Sequence, residues 1–446
     1  MRWSIAAGKD KTVAERLPLT LRTYWHLAAA AAPLAPVLLS RRLSRGKEHP
    51  ARVGERRGET VAARPDGPIV WVHGASVGEM LAAMQLIERL RAEGFAVLVT
   101  SGTVTSAQLA QQRLSAGVIH QFVPLDSPPF IARFLDHWRP SLALFVESDL
   151  WPNLIVESAA RRVPMIIVNG RVSERSYNRW RYLPGTIGSL LDRFDLCLAQ
   201  SAADGERLNN LGAPRVSVTG NLKLDMPAPP ADAQKLGALR AALDGRIVFA
   251  AASTHPGEES AAIEAHRRLK TLFPNLLTIL VPRHPERGAG VVESASAAGL
   301  SVVMRSRGQL PGKAVDIYVA DTLGELGIIY RVAPIVFMGG SLIDHGGQNP
   351  IEPVKLGAAV LHGPHVWNFA EIYGALDDAQ GAQEVADVSR LTVRVGSLLK
   401  DAKERSRLVT AAQQTVAALG GALNLTLSAI EPYLLQLRLE QRQSDA

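Results

Sequence analysis

The sequence contains very little cysteine and few aromatic residues. Cys197 is the only cysteine among 446 residues, so no disulfide can form within the chain, as is typical of proteins from reducing compartments. It lies in the apolar run 194–198, which favours a buried and unreactive thiol. Aromatic residues make up 5% of the chain, and no basic run is interleaved with stacking rings. Nucleic acid is therefore not an expected partner.

Several motifs that define common enzyme classes are also missing. No Gly-x-Ser-x-Gly elbow and no complete Walker loop occur in the sequence, which argues against a serine hydrolase and a P-loop NTPase. No His, Asp and Glu residues recur with a convincing metal-ligand spacing, so no metal is expected.

Residues 1–50 form an apolar and basic arm. Its apolar segment, 24–39, is shorter than the ~20 residues of a spanning helix, and Pro33 and Pro36 interrupt it. The arm could lie in or on a membrane with its basic flank on anionic headgroups. It could equally be a helix packed on the protein's own core. A formal net charge of +7 suits anionic partners. The basic flank consists of Arg41, Arg42, Arg45 and Lys47.

Apolar runs alternate with helical periodicities from residue 69 onward, which predicts parallel sheets with helices on both faces. A Pro- and Ala-rich stretch at 225–235 indicates a semi-rigid linker. We therefore predict one α/β domain over 51–224 and a second over 236–446 that includes the C-terminal helices. The predicted strands cover residues 69–72, 96–100, 119–122, 142–145, 165–168, 196–198, 216–218, 247–251, 276–281, 301–304, 317–319, 335–338 and 359–361.

The turn after the first predicted strand carries the first candidate for chemistry. The helical pattern that follows the strand places Glu79 in the first turn of a helix. Ligands of open α/β sheets bind outside the carboxyl ends of strands, where Glu79 could take a proton from a hydroxyl. The alternative is a capping box, in which Ser76 caps the helix and Glu79 bonds back to the Ser76 amide. From these residues alone the capping role is favoured.

Glu147 and Asp149 follow the predicted strand 142–145. They could be metal ligands, order other polar groups, or cap the helix that begins at Pro152. Lys223 precedes the linker, close to the cleft expected between two domains, where ligands commonly bind. An ordinary surface lysine is the alternative for this residue.

The second half of the chain contains several glycine-rich turns between strands and helices. Such turns allow close backbone approach, and helix N-termini bind phosphate, so nucleotide binding is favoured. Arg283 lies at the tip of a predicted strand and has a planar fork suited to phosphate, although a solvated loop arginine is commoner. Asn349, Pro350 and Glu352 have the positions of a cap, a first helical residue and a capping-box carboxylate.

Taken together, these segments resemble the 3-deoxy-D-manno-octulosonic acid (Kdo) transferases, glycosyltransferases of the lipid A and lipopolysaccharide core. The similarity extends from the apolar arm to the C-terminal helices. The matching motifs are HGASVGE at 73–79, ESDLWPN at 147–153, GNLK at 220–223, PRHP at 282–285, DTLGEL at 321–326, GGS at 339–341, NPIEP at 349–353, GP at 363–364 and NF at 368–369.

The resemblance implies a GT-B fold, with two Rossmann-like doubly wound domains facing a central cleft and an N-terminal membrane-associated arm. It implies CMP-Kdo as donor and a lipid A precursor as acceptor at the cytoplasmic face of the inner membrane, without a metal or other cofactor. Glu79 would be the general base, and Asp149 and Lys223 would support the transition state. The donor site would comprise Pro282, Arg283, Leu323, Gly324, Glu325, Asn349, Pro350, Ile351 and Glu352.

The sequence departs from the family pattern at two positions of the predicted site. Asp149 stands where we expect a glutamate, and Gln348 stands where we expect a histidine. Two alternatives belong to other function classes: a GT-B enzyme that acts on UDP-sugars as a transferase or an epimerase, and a non-catalytic nucleotide-binding membrane adaptor.

Overall fold

The computed structural model describes residues 17–147 and 149–444, which fall into two compact units. Unit 1 comprises the described residues up to Met226 and those from Gly420 onward, and unit 2 is Pro227–Leu419. The chain therefore passes from unit 1 to unit 2 inside the Pro- and Ala-rich stretch 225–235.

The described part of unit 1 is built on a sheet of seven parallel strands in the order β3-β2-β1-β4-β5-β6-β7. Strand order changes direction between β1 and β4, which is the switch point of a doubly wound fold. Loops at the carboxyl ends of these two strands diverge there and leave room for a ligand. The strands are β1 Ile69–His73, β2 Ala96–Ser101, β3 Ile119–Phe122, β4 Leu142–Val146, β5 Met165–Gly170, β6 Leu196–Ala199 and β7 Val216–Val218.

In unit 2, the described sheet also has seven parallel strands, in the order β10-β11-β9-β8-β12-β13-β14. Its switch point lies between β8 and β12. The sequence did not predict β14, because this edge strand has only three residues and two of them are polar. The strands are β8 Ile247–Thr254, β9 Leu276–Pro282, β10 Val302–Met304, β11 Ile317–Val319, β12 Ile335–Met338, β13 Ala359–His362 and β14 Ala382–Glu384.

Helices connect the strands, as parallel pairing requires. In unit 1 they are α1 Leu19–Ala31, α2 Ala35–Ser44, α3 Val77–Ala92, α4 Val104–Arg113, α5 Pro128–Trp138, α6 Pro152–Ala160, α7 Glu174–Trp180, α8 Pro184–Leu191, α9 Ala202–Asn210 and α10 Leu222–Asp225. In unit 2 they are α11 Ala233–Leu243, α12 Glu258–Lys270, α13 Gly288–Ala297, α14 Leu326–Tyr330, α15 Ile351–Lys355, α16 Ala370–Asp378, α17 Val388–Lys400 and α18 Ala402–Leu419, and the last helix of the chain is α19 Ala422–Ser444.

The sheet of unit 1 separates two hydrophobic cores because side chains alternate along each strand. In β1, Ile69 and Trp71 face one core, and Val70 and Val72 face the other. All four are at most 1% exposed. A strand buried on both faces needs a continuous apolar run, which is why the sequence marked β1 so clearly. The predicted doubly wound α/β fold is confirmed, and the central cleft stays a prediction.

Helix α19 packs on unit 1, which corrects the assignment of all C-terminal helices to the second domain. Its buried residues Ile430, Leu434 and Leu437 recur at helical spacing and join the core beneath β1 and α3. The Asp225 carboxylate accepts hydrogen bonds from the amides of Gly421, at 2.7 Å, and Leu423, at 2.5 Å. The apolar stripe was visible in the sequence, but periodicity does not indicate which core the stripe covers.

The N-terminal arm packs one face on unit 1. Helix α1, a 3₁₀ turn at Ala32–Leu34 and α2 follow one another, with Pro33 and Pro36 at the starts of the last two. Leu21 and Leu39 are buried, and the Trp25 indole donates to Glu157 at 2.9 Å. Among the described residues, no helix is long and apolar enough to cross a membrane. The opposite face of the arm is apolar and exposed, with Leu19, Leu27, Leu34, Val37 and Leu38.

Candidate active site

Glu79 closes the turn between β1 and α3. One of its carboxylate oxygens accepts from the Ser76 hydroxyl at 2.6 Å, and the other accepts from the Ala75 amide at 2.7 Å. The Ser76 hydroxyl oxygen in turn accepts from the Glu79 amide at 3.2 Å. The predicted capping box is confirmed with a different partner: Glu79 binds the amide of Ala75 instead of that of Ser76.

Asp149 lies beside Glu79 because β1 and β4 are neighbours at the switch point. The two carboxyl groups share a hydrogen bond, which requires a proton on one of them. Burial raises the pKa of Asp149 to about 7, and the negative charges of Glu79 and Glu147 add to this effect. Asp149 therefore holds a proton up to neutral pH and presents it to Glu79.

Glu147 and Lys223 form an ion pair next to this carboxyl pair. The Lys223 ammonium lies 2.7 Å from the Glu147 carboxylate, and both side chains are about one-fifth exposed. Glu147 adopts a left-handed conformation with φ 62°, which is uncommon for a residue that is not glycine and is often found at functional sites. Lys223 is therefore held at the carboxyl end of the sheet and is not an ordinary surface lysine.

Asn169, at the end of β5, supports the segment that carries Lys223. Its side-chain oxygen accepts from the Leu222 amide at 2.9 Å, while Asn221 accepts from the Lys223 amide at 3.0 Å. The side-chain nitrogen of Asn169 is buried without a partner in the described part of the chain. The sequence indicated a strand-end loop at 169–173 but no role for Asn169. The available signal was an asparagine directly before a glycine at a strand end.

In unit 2, a buried carboxylate occupies the glycine turn after β12. One oxygen of Glu258 accepts from the amides of Ser341 and Leu342, both at 3.0 Å. The other accepts from Gly340 at 2.7 Å and from His255 at 2.9 Å. Glu258 is 1% exposed, so these amides are not free to bind phosphate. The glycine turn instead fixes the loops after β8 and β12 to each other.

Gly339 allows this close approach of the two loops. A Cβ at this position would lie 2.4 Å from the Ser253 carbonyl oxygen, so a larger residue cannot fit without a backbone shift. Sequence analysis identified the glycines but missed Glu258. Its signal was a second strand-to-helix turn, at 254–259, with a carboxylate in the first turn of α12.

Three histidines lie around this turn, of which His255 and His345 were not predicted. The His255 ring lies 3.9 Å from the His345 ring and 6.0 Å from the His284 ring. Burial, followed by the positive charges of His345, His284 and Arg283, lowers the pKa of His255 to about 4. His255 is therefore neutral, and its Nε2 accepts from the Gln348 amide at 3.2 Å. Gln348, which stands where a histidine was expected, therefore still donates a hydrogen bond within this cluster.

Pro282 and Arg283 are at the carboxyl end of β9, as predicted. Pro282 is buried and the Arg283 side chain is exposed. The Arg283 amide donates to the Thr254 carbonyl at 2.9 Å, which places the arginine beside the histidines. A guanidinium next to the neutral His255 can bind an anion through charge and hydrogen bonds.

The predicted donor turn Leu323–Glu325 precedes α14. Leu323 is 79% exposed, and Gly324 has a φ of 78°. Glu325 forms ion pairs with Arg305 and Lys235, and hydrogen bonds from Arg305, together with those from Thr322 and Lys235, lower the pKa of Glu325 to about 2. Glu325 thus remains ionised and fastens this turn to neighbouring elements of unit 2.

The predicted turn Asn349–Glu352 begins α15 one residue later than expected. Pro350 is at the cap position and Ile351 is the first helical residue. Asn349 therefore precedes the cap, and its predicted place at the cap is wrong, although its side chain accepts from the Ile351 amide at 3.0 Å. Glu352 lies in the first turn, where its charge contributes to raising the pKa of the buried Tyr330.

Among the described residues, no group of three or more His, Cys, Asp or Glu side chains is arranged to hold a metal ion. The residues of the candidate site support two kinds of chemistry. In unit 1, paired carboxyl groups and a lysine can move a proton and balance charge. In unit 2, an arginine, imidazoles and helix starts line the carboxyl edge of a nucleotide-type sheet, which suits an anionic ligand.

The architecture defines the class of fold. Two parallel-sheet α/β units are characteristic of GT-B glycosyltransferases. A solved glycosyltransferase from Rickettsia africae ESF-5 superposes with a TM-score of 0.56 at 13% identity, covering 83% of this chain and 98% of that one. At this identity the likeness concerns the fold alone.

Sequence comparison identifies the family. The family "3-Deoxy-D-manno-octulosonic-acid transferase (kdotransferase)" matches residues 51–226. The 3-deoxy-D-manno-octulosonic acid transferase of Haemophilus influenzae is 35% identical over 84% of this chain and 89% of its own length. The one from Bordetella pertussis is 36% identical over 86% and 91%. The chain belongs to the Kdo transferase family, which favours a Kdo transferase over the UDP-sugar and adaptor alternatives.

Proposed function

We propose that this enzyme transfers Kdo from CMP-Kdo to a lipid A precursor during lipopolysaccharide synthesis, with Glu79 as the general base. Glu79 takes the proton of the acceptor's primary hydroxyl. The hydroxyl oxygen then attacks the Kdo anomeric carbon, and CMP departs with the electrons of the broken glycosidic bond, so the configuration inverts. The observation that carries this proposal is the Glu79–Asp149 carboxyl pair at the switch point of unit 1.

The surroundings of the pair support this division of roles. Asp149, with its pKa raised to about 7, donates a hydrogen bond that orients the Glu79 carboxylate. Lys223 balances negative charge beside the carboxyl pair, including that of the Kdo carboxylate, while Glu147 holds the ammonium in place. An arrangement that accepts a proton and offsets charge is what the transfer step requires.

Donor binding is assigned to unit 2. Arg283 and Pro282 would meet the CMP phosphate beside the neutral His255. The turns at 323–325 and 349–352 would hold the nucleoside through backbone groups, since their Glu325 and Asn349 side chains already have partners. A monophosphate leaving group carries limited charge, so an arginine and helix starts suffice without a metal or another cofactor. EDTA is expected to leave the transfer rate unchanged, and a need for added Mg²⁺ would contradict this.

The arm is proposed to rest on an anionic membrane surface. Leu27 and Leu34 are each 66% exposed, and the basic residues 41–47 follow directly, a combination suited to the headgroup region. Cosedimentation with vesicles tests this assignment. Leu27→Glu combined with Leu34→Glu should abolish binding to anionic vesicles, and unchanged binding would overturn it.

Glu79→Gln is the decisive substitution, because glutamine has the same shape and can still accept from the Ala75 amide. We expect kcat for transfer to fall by about 10²–10⁴-fold, while CMP-Kdo still raises the melting temperature. Glu88→Gln is the matched control. It lies on the same helix, makes the same chemical change and likewise removes a carboxylate that accepts from one hydroxyl and one amide.

Two outcomes would refute the assignment. Wild-type activity in Glu79→Gln would reduce Glu79 to a helix cap. Thermal protection of the wild-type enzyme by UDP-sugars but not by CMP-Kdo would refute the proposed donor.

A further inference from the structure

A buried arginine lies one loop away from the turn that carries Glu79. Arg56 is in the 3₁₀ helix Pro50–Arg57, which follows α2 along the chain, and it is 4% exposed. Its guanidinium donates to the Gly102 carbonyl at 2.5 Å and to the Val123 carbonyl at 3.0 Å. These carbonyls belong to the loops after β2 and β3. Arg56 therefore joins two loops at the carboxyl edge of the sheet of unit 1.

Glu48, at the end of the arm, compensates this buried charge. Its carboxylate accepts from Arg56 at 2.8 Å and from Arg42 of α2 at 2.7 Å, and its side chain is 1% exposed. A buried ion pair contributes little net stability in comparison with apolar side chains of similar volume. It does supply direction, because the planar guanidinium holds each acceptor at a defined position. This arrangement is therefore better suited to positioning than to stabilisation.

Two further hydrogen bonds connect Arg56 to the proposed base. The Gly102 amide donates to the Ala75 carbonyl at 3.0 Å, and the Ala75 amide donates to the Glu79 carboxylate at 2.7 Å. The two loops are also in close contact, since a Cβ at Gly102 would lie 3.0 Å from the Ala75 carbonyl oxygen. A shift of the Gly102 loop is therefore transmitted to the groups that hold the Glu79 carboxylate.

We propose that Arg56 is a positioning residue for Glu79, and that Glu48 of the arm keeps Arg56 in place. This inference deepens the proposed function and rests on it. The two residues fix the Gly102 loop against Ala75, and so hold the Glu79 carboxylate where the acceptor hydroxyl arrives. Misplacement of a reacting group by about 1 Å can slow a reaction by about 10²-fold, so a looser support is expected to lower kcat.

Arg56→Lys tests the support while it keeps the positive charge. A lysine ammonium cannot hold three acceptors in fixed directions, so we expect kcat for Kdo transfer to fall about tenfold, with KM for CMP-Kdo changed by less than about twofold. Arg52→Lys is the matched control and should keep wild-type kcat. Arg52 lies in the same 3₁₀ helix, pairs with Glu55 and donates to the His120 carbonyl. Within the described residues, none of its hydrogen bonds goes to the loop after β2.

Gly102→Ala probes the same contact without altering the buried ion pair. The added methyl group would lie 3.0 Å from the Ala75 carbonyl oxygen, so Ala75 has to move by a few tenths of an ångström. We expect kcat to fall by at least about threefold, again with little change in KM. Gly185→Ala is the control, since a Cβ there would meet no described atom within 4 Å beyond its chain neighbours. If Arg56→Lys does not fold, wild-type kcat in Gly102→Ala would overturn the proposal.

A double-mutant cycle separates positioning from a general loss of structure. Glutamine at position 79 cannot take a proton, so its exact position no longer controls the rate. Arg56→Lys should therefore lower kcat about tenfold when Glu79 is present and less than about twofold in the Glu79→Gln background. All four proteins are assayed well below their melting temperatures. A fall by the same factor in both backgrounds is the result of a purely structural role and would overturn the proposal.

Amide hydrogen exchange keeps this test separate from the proposed function. The Ala75 and Gly102 amides are hydrogen-bonded, and Arg56→Lys should speed their exchange by at least about fivefold, whereas Arg52→Lys should not. Unchanged exchange at both amides in Arg56→Lys would overturn the link. If exchange responds as expected but the wild-type enzyme transfers no Kdo, the proposed function fails and the link from Arg56 to the Glu79 turn stands.

Discussion

Replacing Asp149 by asparagine should stabilise the protein at alkaline pH. Burial beside Glu79 and Glu147 raises the pKa of Asp149 from 3.8 to about 7. Between these two values the native state holds a proton that the unfolded chain has released, so stability falls as pH rises through this window. Above pH 7 the native carboxylate is ionised, and its burial and the neighbouring negative charges destabilise the native state to the full extent. Asparagine has no such cost.

The size of the effect follows from the two pKa values. Their difference of about three pH units corresponds to a ceiling of about 4 kcal/mol. Asp149 is only half-buried, so solvent screening and relaxation reduce the expected gain to about 1–2 kcal/mol. For a unit of this size the melting temperature should rise by about 3–6 °C.

Urea unfolding at pH 5 and pH 8.5 measures this directly. The free energy of unfolding of Asp149→Asn minus that of the wild type should be about 1 kcal/mol larger at pH 8.5 than at pH 5. Asp66→Asn, at an exposed position, is the isosteric control and should show no such trend. If Asp149→Asn destabilises the protein equally at both pH values, the carboxyl pair does not share a proton as described.

Three further predictions concern other parts of the chain. Glu258→Gln should destabilise unit 2 by about 2–4 kcal/mol in urea unfolding, since an amide cannot replace both accepting oxygens and leaves buried N–H groups unpaired; a stability within 0.5 kcal/mol of wild type would refute the loop-fixing role. Glu325→Gln should cost about 1 kcal/mol at pH 7. Because the pKa of Glu325 is lowered to about 2, this contribution should be lost as pH falls from about 4.5 towards 2, and a pH-independent difference would argue against it. The thiol of Cys197, whose pKa burial raises to about 12, should react with a disulfide reagent only in denaturant, so rapid native labelling would contradict its burial.

The order of the strands along the chain was predictable because each is a run of apolar residues bounded by turn signals. Ile335–Met338, for example, is buried throughout and consists of four apolar residues. Ala382–Glu384 was missed because an edge strand is fixed by pairing to β13 and not by its own composition. The packing of α19 on unit 1 was not predicted for a related reason, since its apolar stripe indicates that the helix is buried but not which unit it packs against.

Site prediction succeeded where a motif implies local geometry. The Ser76–Glu79 cap and the hydrogen bond from the Ile351 amide to Asn349 join residues within four positions of each other, and both form. The pairing of Glu79 with Asp149 could not be predicted from spacing, because it depends on β1 lying next to β4. The role of Glu258 was not predicted because its partners Gly340 to Leu342 are more than 80 residues away.

The return of the chain to unit 1 has a consequence for the order of events during synthesis. Unit 2 is one continuous insertion, so it can fold as soon as it leaves the ribosome. Unit 1 cannot complete the core on the sheet face that holds Val70 and Val72 until α19 has been made, nearly two hundred residues after Met226. During that interval the nascent first unit carries an uncovered apolar surface, which is where we expect chaperones to bind.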